Sequence, residues 1–262
     1  MSRIRQTLAG RGKHKLLVPF LTVGYPDFDT SIDLVRTAID SGADIVELGM
    51  PFSDPMADGP QIQYSSQIAL ANGTDMKKVL QAVEQIRAGS GVPIVLMGYF
   101  NPVWARGVEA FAAASHRAGA DGFIIPDLPV EEAADFLLCL KDLDLSAIFL
   151  VAPTSSPERV QLVDSACTDF VYAVTVAGVT GAARKFSSST DAYLKGLSRS
   201  LSRPFVAGFG VSSPESAVRL CRHADGVVIG SALISAFRQA KNRREGLKSV
   251  RCLLSDIRKA LP

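Results

Sequence analysis

Short apolar runs alternate with amphipathic stretches along almost the whole chain. The first run, residues 16–23, is continuously apolar, and residues 30–39 after it have helical spacing with Thr30 in the position of an N-cap. Strands that are apolar on both faces are typical of parallel sheets covered by helices. On this pattern eight strands are predicted, at residues 16–23, 45–48, 94–97, 122–125, 147–151, 170–174, 205–207 and 227–229.

The segments between these strands have the periodicity of helices. Gly42 and Gly119 each stand before an Ala-Asp pair and a strand, which is typical of the turn that ends a helix and starts a strand. Eight strand–helix units in 262 residues predict one domain, residues 1–262, folded as an α/β (β/α)8 TIM barrel with a short N-terminal helix. The predicted helices are residues 30–39, 75–87, 108–118, 130–140, 157–166, 190–201 and 214–222, with an extra helix at 61–71 after the second strand.

The composition is that of a water-soluble globular protein. Hydrophobic residues make up 47% of the chain and charged residues 21%, and the formal net charge is only +2. Because the basic residues form no dense tract, we expect no nucleic acid partner. No apolar run approaches the ~20 residues that cross a bilayer, and no signal sequence is recognised, so we expect no membrane association and a cytoplasmic location.

Cysteine and histidine form no recognisable site. The four cysteines include no CxxC pair, which argues against both a zinc site and a disulfide framework. The three histidines are isolated, and the acidic residues lack the neighbouring histidine that metal-assisted hydrolysis needs, so no metal is expected. A Schiff-base aldolase has no support either, because no lysine lies within a predicted strand.

Glu47 is the first candidate for chemistry because it interrupts the apolar strand 45–48. Burial disfavours the ionised form of a carboxyl group and so raises its pKa. A carboxyl group with a pKa near neutrality can both give and accept protons, which makes Glu47 a candidate general acid and base. The alternative is a glutamate at a strand end that pairs with a nearby cation.

Asp58 lies in a loop rich in proline and glycine between the second strand and the extra helix. Such a loop can hold a carboxylate over the site that Glu47 faces. The alternative is that Asp58 only forms a turn or caps the following helix. Barrel enzymes take their reacting groups from the C-terminal ends of strands, which adds Tyr99 and Asn101 after strand three and Asp127 after strand four.

Glycine-rich turns follow the last three predicted strands. Backbone N–H groups in such turns converge on anions, and a short helix predicted at 232–237 adds the positive end of its dipole. Many barrels bind phosphate in this region, so a phosphorylated substrate is predicted; the alternative is that each glycine only permits a tight turn. The glycine turns contain Gly178, Gly181, Gly208, Gly210 and Gly230 with Ser231, and the residues available to face an apolar or aromatic part of the substrate are Phe209, Leu128, Tyr172 and Ile62.

Several motifs resemble those of the tryptophan synthase alpha subunit family, in order and with similar spacing from about residue 24 to the end of the chain. Two are highly specific: ELGMPFSDPMADGPQIQ at 47–63, and FVY with GVTG at 170–181. The others are IIPDLPVEE at 124–132, LVAPTSSPERV at 150–160, GFGVSSPE at 208–215 and ADGVVIGSA at 224–232. The GFG and GSA triplets also occur in other phosphate-binding barrels.

The resemblance implies retro-aldol cleavage of indole-3-glycerol phosphate to indole and glyceraldehyde 3-phosphate. Glu47 matches the general acid and base that protonates indole C3 and takes the glycerol hydroxyl proton. Asp58 matches the carboxylate that holds the indole N–H and stabilises positive charge on the ring. Tyr172 matches a tyrosine near the active site, and Thr180 lies on a loop that closes over the substrate and contacts Asp58. By the same match, Gly181, Gly210, Gly230 and Ser231 bind phosphate. Independently of the match, we predict that Phe209 contacts the substrate and that Ile62, Tyr99 and Leu128 line the active site.

The resemblance also implies a partner, a pyridoxal-phosphate beta subunit that receives indole through a tunnel in an αββα heterotetramer. The cofactor then belongs to the partner, and none is expected in this chain. The implied interface comprises residues 53–60, 101–104 and 127–129, with Pro55, Asn101, Pro102, Trp104, Asp127 and Pro129. Trp104 is the only tryptophan, and its alternative role is to pack on its own helix. Two stretches depart from the family pattern: Tyr64 and Ser65 stand where relatives often have arginine, and residues 182–195 match only loosely.

Three other functions would use part of the same site. A stand-alone indole-glycerol phosphate lyase would release free indole with the same residues and would not respond to a partner. A different phosphosugar barrel, such as an isomerase, would share the glycine turns but would not explain Glu47 together with Asp58. A non-catalytic barrel that only binds a partner would be expected to lack one of these two carboxylates, and both are present.

Overall fold

A computed structural model describes residues 2–175, 188–208 and 210–262 of the chain. In this part, nine strands form one entirely parallel sheet that curls into a nearly closed barrel, in the order β5-β4-β3-β2-β1-β9-β8-β7-β6. The strands are β1 Leu16–Thr22, β2 Val46–Gly49, β3 Ile94–Met97, β4 Gly122–Ile124, β5 Ser146–Ile148, β6 Leu150–Val151, β7 Val171–Val174, β8 Phe205–Gly208 and β9 Gly226–Ile229.

The fifth predicted strand is divided into two pieces, which corrects the expectation of a continuous strand at 147–151. The backbone leaves the ladder at Phe149, whose N–H donates to Cys167 Sγ (3.2 Å) while its carbonyl accepts from the Tyr172 N–H (3.0 Å). As a result β5 pairs with β4, and β6 pairs with β7. The barrel is therefore closed at this point by the covalent chain, and the nine strands correspond to eight strand–helix units.

The helices surround this sheet. They are α1 Arg3–Gly10, α2 Phe28–Asp40, α3 Pro60–Ala71, α4 Met76–Arg87, α5 Phe100–Arg106, α6 Val108–Ala118, α7 Ala134–Asp142, α8 Pro157–Ala166, α9 Ser188–Ser200, α10 Pro214–Leu220, α11 Ser231–Arg238 and α12 Arg243–Ala260. Both the short N-terminal helix, α1, and the extra helix after the second strand, α3, are present as predicted. None of the helices that the structure describes combines the length and the apolar character needed to cross a membrane.

Two helix predictions need correction, and two helices were not predicted. The cap of α2 is Asp27, whose side chain accepts from the Thr30 N–H (2.8 Å), so Thr30 lies inside the helix. The helix expected at 130–140 is a 3-10 turn, Val130–Glu132, followed by α7. Neither α5 nor α12 was predicted, although α12 buries Val250, Leu254 and Ile257 at helical spacing, a pattern visible in the sequence.

Ion pairs hold α1 against the N-terminal end of the barrel. Asp121, just before β4, accepts from Arg3 Nη1 (2.9 Å), Arg87 Nη2 (2.7 Å) and the Ile94 N–H (2.8 Å). Arg5 pairs with the carboxylate of Asp169 in the same way (2.9 Å). Asp121 and Asp169 therefore have structural roles at the N-terminal end of the barrel. Barrel enzymes carry their active sites at the opposite, C-terminal end.

The alternation of side chains along β1 separates two apolar layers. Leu16, Val18 and Phe20 belong to the cluster inside the barrel, while Leu17 and Leu21 belong to the layer between sheet and helices. In the parallel register, Phe20 of β1 lies beside Glu47 of β2. Because neighbouring residues in register point to the same face, the Glu47 side chain enters the barrel interior.

Candidate active site

Glu47 is completely buried inside the barrel, with Phe20 on one side and Val95 on the other. Neither of its carboxylate oxygens has a hydrogen-bond partner among the described residues. No described cation pairs with it either, so the structure gives no support to the alternative of a strand-end ion pair. Burial raises the pKa of Glu47 from 4.5 to about 8, which leaves a carboxyl group that is mostly protonated at neutral pH.

Asp58 lies above this interior in the loop between β2 and α3. The Tyr99 hydroxyl donates to Asp58 Oδ2 (3.2 Å) and accepts from the Ala57 N–H (2.9 Å). Tyr99 follows β3, so these two hydrogen bonds attach the Asp58 loop to the neighbouring strand–helix unit. Gly59 is the N-cap of α3 and no side chain caps this helix, so Asp58 does not have the alternative role of a helix cap. Its side chain is available for other work.

The surroundings of Asp58 adjust its acidity. Partial burial raises the pKa of Asp58 from 3.8 to about 6, and the hydrogen bond from Tyr99 opposes that rise because it stabilises the ionised form. The pKa values of Glu47 and Asp58 are both raised, but they stay about two units apart. At pH 7 the interior carboxyl group is mostly protonated and the loop carboxylate mostly ionised, which is the separation that an acid and an anion in one site require.

Tyr172 of β7 comes near both carboxyl groups. It is 3% exposed, and its pKa is raised well above 10, first by burial and then by the negative charges of Glu47 and Asp58. A Cβ atom added at Gly208 would lie 2.2 Å from the Tyr172 hydroxyl. Gly208, which the sequence indicated only as a possible anion-binding turn, therefore makes room for this tyrosine.

A small cavity lies beside Asp58, and Glu47 is not among the residues that line it. Asp58, Ile62 and Tyr99 line it together with Phe20, which agrees with the lining predicted for Ile62 and Tyr99. Leu128 instead lies in the outer apolar layer and lines a neighbouring cavity of about 290 Å³, so the structure does not bring it together with the carboxylates. The side chain of a residue just beyond a strand end cannot be assigned to a face by alternation.

Part of the predicted phosphate site is visible. Gly230 is the N-cap of α11 without a side-chain cap, and Ser231 is the first residue of that helix. The first N–H groups of a helix lack acceptors within it and favour an anion. Gly210, after β8, has φ +83° and open space around its Cα, a conformation that glycine adopts without strain. Gly178, Thr180, Gly181 and Phe209, also predicted here, lie outside the described residues.

Hydrogen bonds join the three segments of the predicted partner interface. Asp127 Oδ1 accepts from the Phe100 N–H (2.9 Å) at the start of α5, the helix that carries Asn101, Pro102 and Trp104. The Tyr99–Ala57 hydrogen bond joins the same region to the loop that contains Pro55. On this face the Trp104 side chain is 68% exposed, so Trp104 does not pack on its own helix.

Within the described residues, no group of three or more His, Cys, Asp or Glu is arranged to hold a metal ion. The contact of Tyr99 with Asp58 was not predicted, because residues 41 positions apart become neighbours only when the barrel has formed. The fold defines the class of protein as a (β/α)8 barrel. A buried, mostly protonated carboxyl group and an ionised one at the C-terminal end of such a barrel are typical of enzymes that use acid–base chemistry.

Comparison with known sequences and structures gives the family. The model of the family described as "Tryptophan synthase alpha chain" matches residues 7–262, and the chain belongs to this family of lyases in tryptophan biosynthesis. The tryptophan synthase alpha chain of Geobacter sulfurreducens is 44% identical over 263 residues, which cover 100% of this chain and 99% of the relative.

Solved structures agree with this assignment. The crystal structure of tryptophan synthase subunit alpha from Legionella pneumophila has a TM-score of 0.91 and 36% identity, covering 99% of this chain and 98% of that one. A chain of Mycobacterium tuberculosis tryptophan synthase has the same TM-score, identity and coverage. The (β/α)8 barrel predicted from the sequence is confirmed.

Proposed function

We propose that the chain cleaves indole-3-glycerol phosphate to indole and glyceraldehyde 3-phosphate, with Glu47 and Asp58 as the catalytic residues. The observation that carries this proposal is the difference between the two carboxyl groups in one site. Glu47 has a pKa of about 8 in the barrel interior, and Asp58 has a pKa of about 6 in the loop above it. Cleavage of this carbon–carbon bond needs a proton donor at carbon, a base at oxygen and an anion near the ring.

In the first half of the reaction, protonated Glu47 donates its proton to C3 of the indole ring. Positive charge then spreads over the ring to its nitrogen. Ionised Asp58 accepts a hydrogen bond from the ring N–H and stabilises this charge, as a fixed anion in a water-poor site does. Tyr172 lies beside both groups and presents a neutral hydroxyl, because its pKa is raised well above 10.

In the second half, Glu47 has become a carboxylate and takes the proton of the glycerol hydroxyl group. The carbon–carbon bond breaks, its electron pair returns to the ring, and the hydroxyl carbon becomes the aldehyde of glyceraldehyde 3-phosphate. The protonated ring is itself the electron sink, so this chain needs no cofactor for the step. Glu47 is protonated again at the end and the cycle is balanced.

For the phosphate group we propose Gly181, Gly210, Gly230 and Ser231, with Thr180 on a loop that closes over the substrate. The uncapped N-terminus of α11 and the open, positive-φ backbone at Gly210 support this assignment. Loop closure would exclude water while the ring carries a charge. Phe209 is proposed to face the indole ring.

For the partner we propose a pyridoxal-phosphate beta subunit in an αββα heterotetramer in the cytoplasm, with the cofactor in the partner alone. The joined segments around Trp104 support a docking surface that adjoins the active site. We include the Asp58 loop in this surface, because Ala57 is hydrogen-bonded to Tyr99 beside α5 and Met56 is 87% exposed. We further propose that residues 1–262 form a single domain.

The deciding experiment measures indole release from indole-3-glycerol phosphate by the purified chain, with and without a tryptophan synthase beta subunit. Slow release that rises sharply with the partner is the expected result. Fast release without a response would indicate a stand-alone lyase, and no release in either condition would contradict the proposed reaction.

The phosphate site can be tested by placing charge at Gly210. In Gly210→Asp the carboxylate should repel the phosphate. Affinity for glycerol 3-phosphate should therefore fall, while affinity for indole analogues that carry no glycerol phosphate should stay the same. Gly210→Asn is the matched control, because it has the same shape and a similar cost at φ +83° but no charge. Equal losses in both variants, measured by calorimetry, would assign the effect to backbone strain and would remove Gly210 from the anion site.

A further inference from the structure

An aromatic cluster outside the catalytic site joins helices α3 and α11. The first of these helices starts next to Asp58, and the second starts at the proposed phosphate site. Tyr64 lies in α3, and the guanidinium carbon of Arg238, the last residue of α11, is 4.0 Å from the centre of its ring. Tyr25 meets the Tyr64 ring edge-on at 6.0 Å and the Phe237 ring at 6.2 Å. The four side chains form one contact between α3 and α11, which we call the Tyr64–Arg238 cluster.

The N-terminal end of each of these two helices lies at a different part of the proposed active site. Helix α3 begins two residues after Asp58, and the Gln63 side chain donates to the Asp58 backbone carbonyl (2.9 Å). The first turn of α3 therefore holds the backbone of Asp58. Helix α11 begins at Ser231, at the proposed phosphate site. Helix α11 is about two turns long, so Ser231 and Arg238 lie at its opposite ends, and the ring of Tyr64 joins the Arg238 end to α3.

The cluster is closely packed. Phe237 packs against Gly246 of α12, where an added Cβ atom would lie 2.6 Å from its ring. Tyr25 is 5% exposed, and burial raises its pKa to about 12, with Tyr64 adding to the rise and Arg238 opposing it. Tyr25 is therefore a neutral hydroxyl group at any working pH and supplies no charge for Arg238.

Arg238 has a different environment from three arginines of α12. Arg243, Arg251 and Arg258 each pair with an aspartate, whereas Arg238 forms no ion pair within the described part of the chain. Its charge instead lies over the face of the Tyr64 ring, an arrangement that favours Tyr, Phe or Trp at position 64 over an aliphatic residue.

We propose that Tyr64 and Arg238 are positioning residues that couple occupation of the phosphate site at α11 to the placement of Asp58 at the start of α3. The proposal rests on the proposed function, since it assigns the phosphate to α11 and the ring charge to Asp58. Coupling of this kind is reciprocal: a phosphate monoester bound at α11 raises affinity for an indole ring at Asp58, and the indole ring raises affinity for the phosphate.

The test measures this coupling with two separate probes, glycerol 3-phosphate and indole, by titrating each in the absence and presence of the other. In the wild type, each probe should increase the affinity for the other by about two- to fivefold, the range of one cation–π contact. Tyr64→Leu should abolish the mutual effect and lower kcat for indole-3-glycerol phosphate by a similar factor, while the affinity for glycerol 3-phosphate alone stays the same. Tyr64→Phe keeps the ring and should retain the coupling.

A second pair of variants addresses the cation. Arg238→Met should match Tyr64→Leu, Arg238→Lys should retain part of the coupling, and the double variant should lose no more than either single one. Coupling absent from the wild type, or lost equally in Tyr64→Leu and Tyr64→Phe, would overturn the proposal; the second result would indicate packing alone. If the wild type releases no indole, the proposed function fails, while the two-probe measurement still decides whether the sites are coupled.

Discussion

Glu47→Gln is expected to abolish indole release while leaving affinity for the phosphate end of the substrate unchanged. The amide keeps the size of the side chain inside the barrel but can neither give a proton to carbon nor take one from the hydroxyl group. Each of these transfers is worth 10² to 10⁴ in rate, so a loss of at least about 10³ in kcat is expected. Steady-state kinetics and titration with glycerol 3-phosphate measure the two properties.

The same substitution should also change how stability depends on pH. The pKa of Glu47 is about 8 in the folded protein and 4.5 ordinarily, so the folded state holds the proton more tightly. The stabilising effect of that proton is complete below pH 4.5 and is lost as the pH rises towards 8. By pH 7 the wild type has lost about 3 kcal/mol of unfolding free energy that Glu47→Gln, with no proton to lose, retains.

Urea denaturation of the wild type and Glu47→Gln from pH 5 to 8 measures this difference. The control is Glu84→Gln, the same chemical change at an exposed position of α4, which should alter neither activity nor the pH dependence of stability. Turnover like that of the wild type in Glu47→Gln would remove Glu47 from the mechanism. If the unfolding free energy had the same pH dependence in both proteins, the pKa of Glu47 would not be raised in the folded state.

The parts of the site that could be predicted from the sequence are those in which a charged residue lies within an apolar segment. A glutamate within an apolar strand must be buried if the strand is, so both its location and the direction of its pKa shift follow from the pattern alone. The same reasoning could not find the break at Phe149, because a run of apolar residues contains no information on register. It also placed Leu128 in the active site, whereas Leu128 lies beyond the end of β4, where alternation does not fix the direction of a side chain, and packs in the outer apolar layer.

Contacts between distant segments were the other part that the sequence could not supply. The hydroxyl of Tyr99 reaches Asp58 because β2 and β3 are neighbours in the barrel, and Gly208 faces Tyr172 because β7 and β8 are. Neither pair has a signal in local composition. The Tyr64–Arg238 contact is of the same kind, since it depends on α3 lying against α11.

Asp58→Asn is expected to lower kcat/KM by a factor on the order of 10² or more, because an amide can accept the ring N–H but cannot balance the positive charge of the protonated ring. The wild-type pH profile should be bell-shaped. Activity should fall below about pH 6, where Asp58 becomes protonated, and above about pH 8, where Glu47 loses the proton that it must donate. In Asp58→Asn the acidic limb should disappear and the alkaline limb should remain.

The disappearance of one limb is a stricter test than the loss of rate, since a misplaced loop would also slow the reaction but would not remove a titration. Asp142→Asn makes the same change at an exposed position in α7 and should keep both limbs and full activity. Tyr99→Phe removes the hydrogen bond that stabilises ionised Asp58, so it should move the acidic limb to higher pH. A nearly unchanged rate in Asp58→Asn would return Asp58 to a role in the loop turn, whereas a lower rate with both limbs intact would assign the acidic limb to another group.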